Sequence, residues 1–127
     1  MACPAGPARY VLPRNHKMIE DTIHRIEARI QGAESLTPER RQELTALLAT
    51  LKTEIADLST TDADQARTIA GYADLSTHEA TRAQLDPDLL HHSVDGLARS
   101  VEGFEASHPR LVQTVNTISH TLANLGI

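Results

Sequence analysis

Seven histidines in 127 residues invite a metal-site reading, because several stand at helical spacings from carboxylates. Glu102, Glu105 and His108 recur at every third residue, so a continuous helix would carry all three along one face. Glu105 with His108 has the Glu-x-x-His spacing of carboxylate-bridged di-iron bundles. Such a centre needs a second Glu-x-x-His and two further inward glutamates; this chain has no second copy of the motif, although a homodimer would provide one by symmetry. The competing reading makes Ser107, His108 and Pro109 a helix junction: Ser107 caps, Pro109 sets the bend and Phe104 packs beneath. The junction reading is preferred, and no cofactor is expected.

Two further clusters read as solvated faces. His91 and His92 with Asp88 and Asp95 offer intrahelical pairs worth about 0.2–0.5 kcal/mol each. His16, Glu20 and His24 contain an i, i+4 histidine pair without a third convergent ligand, which holds a metal weakly. No nucleophile stands out: Cys3 lies in a Pro-rich start, no serine sits in a nucleophile elbow, and no Gly-rich phosphate loop is present. The expectation is therefore a protein that is not an enzyme.

The elements that would position these residues are helices. Leu90, Val94, Leu97, Val101 and Phe104, then Leu111, Val115, Ile118, Leu122 and Leu125, recur at alternating spacings of four and three. The register continues in step across His108-Pro109, so Pro109 either kinks one long helix or separates two. Asp86-Pro87-Asp88 is a start signal for a helix to about Ala106, and a last helix runs to Asn124 with Gly126 as terminator. Earlier in the chain, Ile19, Ile23, Ile26 and Ile30 mark a first helix from about Asn15 to Gln31, ended by Gly32 in a left-handed cap. Thr37-Pro38-Glu39 starts a second helix carrying Leu44, Leu48, Leu51, Ile55 and Leu58.

The middle departs from this pattern. Ser59 to Gln84 is rich in Ala, Thr and Asp, and its large apolar residues Ile69, Tyr72 and Leu75 do not repeat in heptads. Thr61 with Asp64, and Ser76 with Glu79, have capping-box spacing, which predicts short helices over 62–73 and 77–84.

The expected fold is thus all-α: antiparallel helical hairpins with heptad seams forming a coiled-coil-like small bundle. Residues 1–17, with Pro4, Gly6, Pro7 and Pro13, read as a disordered leader, and Met18 as the natural start. A single helical domain over 18–127 divides into a hairpin at 18–58, an Ala/Thr/Asp-rich insertion at 59–87 and C-terminal helices at 88–127. Two apolar positions per heptad make a narrow stripe, so each hairpin is expected to seek a second copy and the protein to self-associate.

Charge narrows the partners. Arg9, Arg14 and Lys17 stand in an acid-free start, leaving nine bases against seventeen acids in the rest, a net of −8. With only Tyr10, Tyr72 and Phe104 as aromatics, neither a basic face nor stacking platforms for nucleic acid are present. No apolar run approaches the ~18 residues of a membrane span, and acidic polar faces disfavour an anionic bilayer surface. A lone Cys3 and the lack of a secretory apolar stretch favour the cytoplasm.

Phe104-Glu105-Ala106-Ser107-His108-Pro109, followed by Leu111 and closing on Leu122-Ala123-Asn124-Leu125-Gly126-Ile127, resembles the signature of the bacterial family known as domain of unknown function 4404. The helix from Met18 and the helix after Thr37-Pro38-Glu39 are similar to that family's first two. The resemblance covers 18–58 and 88–127 and implies a small helical bacterial protein without an established activity. The functional expectation is a non-enzymatic helical interaction and oligomerisation module; the alternative is a metal- or cofactor-binding bundle using His108 and nearby carboxylates.

Overall fold

Side chains fix where three of the helices begin. In the computed structural model, which describes residues 5–126 and the side chains from 18 onward, five helices follow one another among the described residues. They are α1 (Ala5–Gly32), α2 (Pro38–Ser59), α3 (Ala63–Ala80), α4 (Pro87–Arg99) and α5 (Pro109–Asn124). Thr37 accepts from the Arg40 N–H at 3.1 Å, Asp62 from Gln65 at 3.1 Å, and Asp86 from Asp88 and Leu89 at 3.0 and 3.4 Å. Each satisfies an amide that a helix leaves unpaired, and Pro38 and Pro87 occupy first-turn positions where no amide is needed.

The expected ridges are buried. Ile19, Ile23, Ile26 and Ile30 of α1 and Leu44, Leu48, Leu51, Ile55 and Leu58 of α2 face the core. Leu90, Val94, Leu97, Val101, Leu111, Val115, Ile118 and Leu122 join them, with Phe104 and Leu125 packed at the margin. All ten positions of the C-terminal seam therefore lie wholly or partly inside this chain's own core.

What closes the core is the middle segment. It forms one helix, α3, which packs against all four others and not two short helices. Asp62 takes the cap expected of Thr61, and Ser76 is buried in mid-helix instead of capping a second helix. Its inward face is Ala66, Ile69, Ala70, Ala73 and Ala80, side chains short enough to let four neighbours approach. A narrow stripe on each outer helix suffices because α3 supplies the face that a second copy was expected to supply.

Polar contacts set the relative directions. Arg25 and Arg29 both meet Asp74, at 3.4 and 3.2 Å, and Arg29 reaches His78 Nδ1 at 2.9 Å, so α1 and α3 run parallel. Gln65, early in α3, donates to the Ser100 carbonyl just past α4, so those two run antiparallel. The α1–α2 turn is tied by Arg41, whose guanidinium donates to the carbonyls of Ile30 (3.2 Å), Ala33 (2.6 Å) and Leu36 (3.5 Å). A cation on these orphan carbonyls does what Gly32 was expected to do: Gly32 is the last helical residue and is not left-handed.

Two other boundaries differ from expectation. α4 stops at Arg99, not near Ala106, because the chain turns at Gly103, the one positive-φ residue described (φ 93°). α1 begins at Ala5 instead of about Asn15; the expected leader at 1–17 falls on residues 1–4 and on side chains that lie outside the described residues.

Candidate functional site

Ending α4 at Arg99 dissolves the helical face that would have aligned Glu102, Glu105 and His108. Glu102 and Glu105 are exposed in the turns, where a Glu105 oxygen accepts from the Gly103 N–H at 2.9 Å. His108 faces elsewhere: its Nε2 stands 3.6 Å from an Asp57 carboxylate oxygen and its Nδ1 3.0 Å from the Ser107 hydroxyl. Phe104 meets the imidazole edge-on, with ring centroids 5.9 Å apart. Among the described residues, no three of His, Cys, Asp and Glu are grouped as a metal ion requires.

At the junction the parts differ from those expected, since Ser107 does not cap the helix. Pro109 opens α5, His108 occupies the cap position without a side-chain cap bond, and Ser107 bonds the imidazole instead of a backbone amide. Pro109 separates two helices, and the break lies well before it. His108 and Asp57 bring the start of α5 beside the end of α2.

The other described histidines and carboxylates form no metal-holding group either. His91 and His92 are exposed, Asp95 pairs with Arg99 at 2.8 Å, and Asp88 lies in the first turn of α4. His24 is exposed; the side chains of Cys3 and His16 lie outside the described residues.

A surface not anticipated from the sequence appears where α3 faces outward beside α4. Of the large hydrophobic side chains described, Met18, Tyr72, Leu75 and Leu89 are exposed, at 48%, 38%, 44% and 45%. Tyr72, Leu75 and Leu89 line one cleft of about 200 Å³ together with Glu79, His92 and Ser93. Local geometry builds this surface. Tyr72 packs close to α4 at Gly96, where an added Cβ would collide with the Tyr72 Cε1 and Cδ1 atoms. Gly71 and Thr68 extend the surface along α3 as a shallow groove beside Tyr72 and Leu75.

Two polar groups of the cleft are occupied. Ser93 donates to the Leu90 carbonyl at 2.9 Å, and Glu79 accepts from Arg82 at 3.1 Å. His92 bonds neither of them, so serine, imidazole and carboxylate do not form a relay. What the arrangement offers is an apolar strip with charged ends: Asp64 and Arg67 pair at 2.8 Å near the start of α3, and Glu79 and Arg82 near its end. The sequence carried no signal for it, because only the structure shows that Ile69 is buried while Tyr72 and Leu75 are exposed.

Fold and surface together define a small all-α helical bundle with an unpartnered apolar strip along its central helix. Residues 19–127 match the family described as Domain of unknown function (DUF4404), and the chain belongs to that family. The matched span includes α3 as well as the two flanking regions that carried the resemblance. No curated protein and no solved structure matches the chain. Among the described residues, no helix is long and apolar enough to cross a membrane.

Proposed function

We propose that this chain works by binding and not by catalysis, as a helical interaction module that associates with itself. The observation that carries this reading is the strip of Tyr72, Leu75 and Leu89, left in water although the chain buries all the ridges its sequence patterned for burial. Large exposed apolar groups gathered on one surface cost solvation and mark interaction sites more often than single exposed residues do. The reading needs no proton donor, nucleophile or metal, and the cleft presents none in a productive arrangement. The proposal includes a cytoplasmic location, which the lone Cys3 supports.

Sedimentation velocity from about 5 to 500 µM tests it, because contacts smaller than ~1,200 Å² are commonly weak and transient. The weight-average mass should rise above the 13.9 kDa of one chain as concentration increases. A mass fixed at one chain throughout would remove self-association from the account.

A further inference from the structure

We draw no further inference here: the strongest candidate, the exposed apolar face that Tyr72, Leu75 and Leu89 form between α3 and α4, carries none because nothing in the structure shows what covers it.

Discussion

Ile69 separates a central α3 from a peripheral one. It is the one large aliphatic side chain that α3 buries, fully excluded from solvent among neighbours from the other helices. Ile69→Ala deletes three carbons, worth about 0.8 kcal/mol each in transfer, or roughly 2.4 kcal/mol. A cavity term adds to this, because a site enclosed by several helices collapses only in part, giving about 3–4 kcal/mol in all. Ile69→Val removes one carbon and should cost about 1 kcal/mol. With a urea slope of about 2 kcal/mol per molar, the midpoint should fall by about 1.5–2 M for alanine and about 0.5 M for valine. Against a total stability of about 5–15 kcal/mol, the first change is large. Helical ellipticity during urea titration at one fixed protein concentration reads both. Shifts below about 0.3 M for Ile69→Ala, with an unchanged slope, would refute the reasoning that α3 carries the core.

Two other substitutions probe features visible only in the folded chain. Arg41→Met keeps most of the aliphatic stem but removes donors to three carbonyls at the α1–α2 turn, so stability should fall by about 2 kcal/mol; a thermal midpoint equal to wild type would contradict that role. Ser76→Ala should leave stability unchanged or raise it by up to about 1 kcal/mol, because the Ser76 hydroxyl is buried without a hydrogen-bond partner; a clear loss in urea titration would show that it bonds something.

How much was legible depended on whether a local signal had a single structural meaning. The ridges on α1, α2, α4 and α5 were readable because aliphatic residues at spacings of four and three bury the same face in any bundle, and Thr37 and Asp86 cap in the structure as their sequence contexts implied. α3 was misread for a physical reason. Apart from Ile69 and Glu79, its core face is built from alanine, serine and threonine, and its two largest exposed residues are apolar, which reverses the amphipathic signal. The end of α4 was misplaced because Val101 and Phe104 continue the spacing of four and three after the helix has stopped; Gly103 was the sequence cue that outweighed it. Glu102, Glu105 and His108 looked aligned only on the premise of a helix that in fact ends at Arg99. The outward strip could not be read from the sequence, since the exposure of Tyr72 and Leu75 depends on which neighbours α3 acquires.

Native-state hydrogen exchange across the chain tests most directly that the middle segment is the centre of the bundle. Amides from Ile69 to Ala80 are expected among the slowest to exchange, opening only when the whole molecule unfolds, because α3 packs on all four other helices. Rapid exchange of that stretch while α2 and α5 stay protected would show α3 to be an appendage and contradict the account.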